Sequence, residues 1–197
     1  MLVSNLPKLE SSNMTRDKAW ELVQSKVKGD FLRKHLLASE AIMRALARHF
    51  NEDEELWGLA GLTHDIDWEL TESTPEKHSL IGAEWLKDAG FPLEVVEAVK
   101  VHNHTHGFVP KTLMEKSLWC AEELTGLIVA CAFVQPDKKM ATVKVSSVKK
   151  KFKDKAFAKG VNREIISKCE KMIGLTLDQL IEIELKAMQE ISTDLGL

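Results

Sequence analysis

Apolar positions recur along this chain at steps of three and four, the spacing that lines one face of an α-helix. Thr15 is placed to cap a first helix whose stripe is Trp20, Val23 and Val27. Asp30 is placed to cap a second, with Leu32, Leu36, Ile42, Met43, Leu46 and Phe50 along one side. A third runs from about Asp53 to His64. In "STPEKHS", Thr74 reads as the cap and Pro75 as the first turn of a helix that ends at Gly90. Pro92 opens the next, which runs out near His102. "TLME" reads as a capping box of Thr112 and Glu115 at the head of a long helix to about Val134. Past "VQPDKKMATVKV", where a short extended piece fits 141–145, Asn162 starts a helix that Gly174 stops. Thr176 and Gln179 form a second capping box before a last stripe of Leu177, Leu180, Ile181, Leu185, Met188 and Ile191. Strand-like alternation is nearly absent. The pattern predicts an all-α fold in a single domain over 14–197, with a core at 30–135, a C-terminal helical extension at 145–197 and a poorly ordered lead at 1–13.

Composition narrows the partners. With 197 residues, 44% hydrophobic and 29% charged, the chain can bury a core without staples. A formal charge of -3 gives no global attraction to nucleic acid or anionic membrane. Cys120, Cys131 and Cys169 are odd in number and lack ligand spacing, which argues against disulfides and a thiolate zinc site and for a reducing, cytoplasmic location. The N-terminus lacks the build of a signal peptide, and "GLIVACAFV" is too short to span a bilayer.

The chemistry lies in polar groups on apolar stripes. His35 lies at steps of three and four from Leu32, Ser39, Ile42 and Leu46, so it faces the core. His78 shares a face with Ile81, Trp85 and Ala89, His102 with Val95 and Val99, and Glu122 with Leu118, Thr125 and Val129. One such histidine is commonly a satisfied core residue, but an unpaired carboxylate there is costly. His64-Asp65 ends the apolar run "GLAGLT", where a helix terminus can turn both side chains inward. Together these residues offer nitrogen and oxygen ligands without sulfur, a set that suits Mn, Fe, Co, Ni, Zn or Mg. Asp65 has two oxygens and can touch two ions. Asp67 and Glu69 read either as acceptors for the ligand imidazoles or as solvated loop acids.

A histidine on one helix, a His-Asp doublet ending a later one and an acid further on resemble the HD superfamily of metal-dependent phosphohydrolases. The resemblance covers about residues 30–125 and implies a helical bundle of the HD type. It implies metal ligation by His35, His64, Asp65 and Glu122, where Glu122 stands in place of the family's usual Asp. "EKHSLIGAEWL" and "VKVHNH" resemble the stretches that bring two further histidines in two-metal members, which implies His78 and His102 for a second metal or for phosphate. Phe31 replaces the acid of three-metal members, and Trp68 replaces an acid found in several HD nucleotidases. His104 and His106 are expected in a mobile loop rimming the site.

The function implied is hydrolysis of a phosphomonoester or phosphodiester, a nucleotide among the candidates, by metal-activated water. One or two divalent ions per chain would serve it, with Asp65 as the catalytic carboxylate. Lys149, Lys150 and Lys151, with Arg163 beyond them and Lys77 beside His78, are the local cations for a small phosphorylated substrate, or else a solvated face. A di-iron oxygenase of the HD type and a non-catalytic metal- or nucleotide-binding protein are the alternatives. Membrane and nucleic-acid partners are not expected, and a homo-oligomer through the apolar C-terminal helix is left open.

Overall fold

The computed structural model describes residues 14–197, and the expected lead at 1–13 lies outside the described residues. Among the described residues there is no strand, and no helix is long and apolar enough to cross a membrane. The centre of the fold is an antiparallel pair, α2 (Asp30–Phe50) and α3 (Glu54–Thr63). Asn51 ends α2 in a left-handed conformation (φ 57°), which asparagine tolerates, and the Asp53 side chain then caps α3. The two helices touch backbone to backbone at Gly61, where a Cβ would lie 2.7 Å from the Ser39 carbonyl carbon and 2.9 Å from the Glu40 nitrogen.

α1 (Arg16–Lys26), capped by Thr15 as expected, packs on α3. Arg16 and Arg44 both grip the buried Glu40 carboxylate, tying α1 to α2. α6 (Leu93–His102) and α7 (Leu113–Phe133) close the other side of the pair. The last long helix, α11 (Leu177–Glu190), lays Leu180, Ile181, Leu185 and Met188 against α2 and α7. Its apolar stripe is thus used within the chain.

Several expected elements differ. Asp30 is the first residue of α2 rather than its cap. The start of α2 is held instead by Glu69 on the single-turn α4 (Trp68–Thr71), whose carboxylate accepts from the backbone N–H groups of Lys28 (2.9 Å) and Gly29 (2.6 Å). The helix expected from Thr74 to Gly90 is split. Pro75–Lys77 is a single 3₁₀ turn, His78 is extended, Ser79 is left-handed (φ 71°), and α5 covers only Leu80–Asp88. Such a conformation costs a non-glycine residue about 1–2 kcal/mol. The Ser79 hydroxyl, donating to the Lys100 carbonyl at 3.0 Å, helps hold it. Thr112 caps α7, but the Glu115 carboxylate reaches the Lys111 N–H, so the reciprocal box is not formed. Residues 140–142 form a 3₁₀ turn rather than an extended piece, and α8 follows at Val145–Lys153. The helix expected from Asn162 to Gly174 is two short ones, α9 (Arg163–Ile166) and α10 (Cys169–Ile173). The capping box of Thr176 and Gln179 is present, and α12 (Ser192–Leu195) ends the chain.

Candidate metal centre

At the end of α3 the backbone tightens, with Ile66 N–H bonded to the Thr63 carbonyl and Trp68 N–H to that of Asp65. This turn brings His64 and Asp65 to the same side, where α2 supplies His35, α6 supplies His102 and α7 supplies Glu122. His78 arrives from the extended residue before α5, not from a helix face. Two overlapping triads, His35–His64–Glu122 and His64–Asp65–His102, each keep their ligand atoms within 4.8 Å of one another.

Asp65 faces two ways. Its Oδ2 lies 3.6 Å from His35 Nε2, while its Oδ1 lies 3.2 Å from both His78 Nε2 and His102 Nε2 and 3.5 Å from His64 Nε2. Glu122 Oε2 is 3.8 Å from His35 Nε2 and 3.9 Å from His64 Nε2.

Each imidazole has its other nitrogen committed. Carbonyls only accept, so His64 Nδ1–H donates to Gly61 (2.9 Å) and His102 Nδ1–H donates to Val99 (2.6 Å). His78 Nδ1 is 2.8 Å from Asp67 Oδ1, and the other Asp67 oxygen accepts from Gly82 N–H. The Thr125 hydroxyl gives its proton to the Glu122 carbonyl at 2.7 Å, so its oxygen accepts from His35 Nδ1–H at 3.3 Å. Asp67 therefore acts as the imidazole acceptor that one sequence reading allowed, whereas Glu69 caps α2.

The consequence is a pair of bare lone pairs. His35 Nε2 and His64 Nε2 are 3.1 Å apart, and neither carries a proton in the neutral ring. Two nitrogens bound to one ion at about 2.1 Å are about 3.0–3.4 Å apart in octahedral or tetrahedral geometry. The residues present thus fit a divalent cation between them. Burial pushes the His64 pKa down to about 3 and lowers that of His35, so protonation does not supply the missing charge. Burial alone would raise Asp65, but His64, His102 and His78 hold it well below the usual carboxylate range. Burial disfavours the His78 cation, yet its bonds to Asp65 and Asp67 outweigh this and raise it to about 9. Burial, with Glu123 and Asp65 nearby, pushes Glu122 well up.

The centre opens into a cavity of about 290 Å³, lined among others by Trp68, Pro75, His104, Thr105 and Glu123. Glu123 is a residue that sequence reasoning missed. Its signal was the Glu122-Glu123 doublet on an apolar helix. Burial raises its pKa, and the Asn162 N–H on its Oε2 at 3.1 Å opposes the rise. His104 rims the cavity as expected. His106 does not hang free, because its Nε2 donates to the His78 carbonyl at 2.7 Å. His35 is reached instead from a second hollow of about 280 Å³, lined by Phe31, Ala38, Val129 and Phe133 among others.

The six ligand candidates His35, His64, Asp65, His78, His102 and Glu122 are brought together, but the lysines are not. Lys77 is exposed on the 75–77 turn and does not line the cavity. Lys149 pairs with Asp178, while Lys150 and Lys151 border a separate hollow beside Cys131 and Val134. α8 packs near the far end of α7, and the 12 residues from Glu122 to Val134 span about 18 Å of helix. Arg163 is spent on the carbonyls of Phe152, Asp154, Phe157, Ala158 and Val161.

The family model for the HD domain matches residues 32–126. Residues 32–126 are thus an HD domain. The matched stretch holds every residue that faces the centre, along with Asp67 and Thr125, while α8–α12 lie beyond it. HD domains bind divalent metals and belong to a superfamily of metal-dependent phosphohydrolases. Comparison with curated proteins and with solved structures gave no match.

Proposed function

We propose that this HD-domain protein hydrolyses a phosphomonoester or phosphodiester of a small molecule with metal-activated water. The observation that carries this reading is the set of four imidazoles, each with Nδ1–H committed, whose Nε2 atoms converge around the two oxygens of Asp65. His35, His64 and Glu122 would hold one ion. His78 and His102 would hold a second, with Asp65 facing both. When bound, a divalent ion supplies Lewis-acid polarisation of a phosphoryl oxygen and lowers the pKa of a water.

The chain's own groups do the rest. His64 is kept neutral by burial, so its nitrogen lone pair is available at any pH near neutrality. Asp65 stays ionised and can accept a hydrogen bond from the attacking water, orienting its lone pair at phosphorus. Asp67 and Thr125 keep His78 and His35 in the ligating tautomer. The full chain, stripped with a chelator and reloaded in turn with Mn, Fe, Co, Ni, Zn or Mg, should cleave members of a phosphomonoester and phosphodiester panel. Chelation should abolish that turnover, and His64→Ala should lose metal. A metal-loaded chain that cleaves nothing in the panel overturns the proposal.

The apolar hollow at His35 favours one second reading, a di-iron oxygenase, since it suits a small apolar reactant such as dioxygen. Two irons per chain with substrate-dependent oxygen consumption would select that reading.

A further inference from the structure

Trp68 stands at the cavity with its residue surface 38% exposed, so part of the indole is open to a ligand there. Its backbone N–H bonds the Asp65 carbonyl at 3.0 Å, so the indole is carried directly by the turn that holds the metal-facing carboxylate. The indole is braced against His78, with ring centroids 4.9 Å apart and planes at 83°. A ring resting on Trp68 would therefore sit one side chain away from the centre. Pro75 extends the same apolar wall.

The rest of the lining outside the centre is polar. Asn103, His104, Thr105 and Glu123 form it, and among the described residues neither lysine nor arginine lines the cavity. The Asn103 amide is consumed within its own loop, by the Thr105 N–H and hydroxyl on one side and the His78 carbonyl on the other. Beyond the metal centre, binding free energy then has to come mainly from apolar contact, and Trp68 offers the largest apolar surface there.

We propose that Trp68 is a stacking platform and that the substrate is a phosphoester bearing a flat aromatic ring, aryl or nucleobase. This rests on the phosphoryl reading above and adds a specificity-determining residue to it. Removing an aromatic platform weakens binding of a stacked ring by about five- to a hundredfold.

Phenylphosphonate and methylphosphonate test it, because their P–C bonds resist hydrolysis and binding can be read without turnover. Titration calorimetry on the manganese-loaded full chain should show phenylphosphonate binding at least tenfold tighter than methylphosphonate. Trp68→Ala should collapse that ratio to below threefold with methylphosphonate affinity and metal content unchanged, and Trp68→Phe should keep most of it. Equal binding of the two probes by the wild-type chain overturns the platform and leaves the phosphoryl reading standing. So does a ratio that Trp68→Ala leaves intact. Should Trp68→Ala lose metal, the wild-type ratio and the metal-retaining Trp68→Phe variant decide. Binding of neither probe to the metal-loaded chain overturns the phosphoryl reading and this proposal with it.

Discussion

Replacing Gly61 by alanine sets two effects of opposite sign against each other. In the interior of a helix alanine is favoured over glycine by about 1 kcal/mol, so propensity alone predicts a more stable protein. The packing predicts the reverse. The new Cβ would lie 2.7 Å from the Ser39 carbonyl carbon and 2.9 Å from the Glu40 nitrogen, where ordinary contact begins at 3.4 Å. Both atoms, and the still closer Ser39 carbonyl oxygen, are backbone of α2, so no side chain can swing aside, and the helices must part by at least about 0.7 Å, the difference between 3.4 and 2.7. Overpacking of this kind costs about 1–3 kcal/mol, which leaves a net loss of roughly 0–2 kcal/mol after the propensity gain. The same movement, carried fully to the side chains, would widen the 3.1 Å gap between His35 and His64 to about 3.8 Å or more, beyond the spacing of adjacent ligands on one ion. Metal affinity should fall by about tenfold or more. Gly58→Ala is the control, since the atoms its Cβ would meet first all belong to the Arg44 side chain, which can shift at the cost of its hold on Glu40 while the α2 backbone stays in place. Urea unfolding of the chelator-treated protein gives the stability term, and cobalt titration of the same variants gives the affinity. A Gly61→Ala variant that gains stability, binds cobalt as the wild type does, or matches Gly58→Ala in both assays would refute the reasoning.

Thr125→Val keeps the shape of the side chain but removes the oxygen that accepts from His35 Nδ1–H. It should weaken metal binding by about 10–100-fold, with Thr125→Ser restoring most of it in the same cobalt titration. Glu184 is fully buried on α11 with a partner for neither oxygen, and burial pushes its pKa well up. The folded chain thus keeps this proton longer than the unfolded chain does. Its contribution is intact below the unfolded carboxyl value near 4.3 and is lost as pH rises from there toward the folded value, by up to about 1.4 kcal/mol per pH unit. Glu184→Gln should therefore gain on the wild type in urea midpoints as pH rises above 5, and parallel curves for the two proteins would count against this account. Joint reversal of Lys150 and Lys151 to glutamate should leave kcat/KM within about twofold under screening salt, since neither lines the cavity. A tenfold fall in steady-state assays would place them back at the substrate.

The helices were legible in the sequence because their signals are local. Apolar steps of three and four, Thr15, Thr112 and Thr176 as caps, and Pro92 at a start all act within one turn of chain. The metal-facing set was legible for a related reason: His35, His102 and Glu122 stand on apolar stripes, where an unpartnered polar group is costly. Its order along the chain also matched a known family. What the sequence could not carry depends on residues far apart in the chain. The break at His78–Ser79 is held by Asp67, Lys100 and His106, none of them within ten residues. Only the packing of α8 on the far end of α7 removes the lysines from the cavity, and only the α7 surface brings Glu123 into it. The tautomer of His35 is set from 90 residues away by Thr125. By itself, then, the sequence determined which ligand-type side chains this protein would bring together at one centre. The tertiary structure decided how each is held, because a hydrogen-bond partner contributed by another helix leaves no periodic trace in the chain.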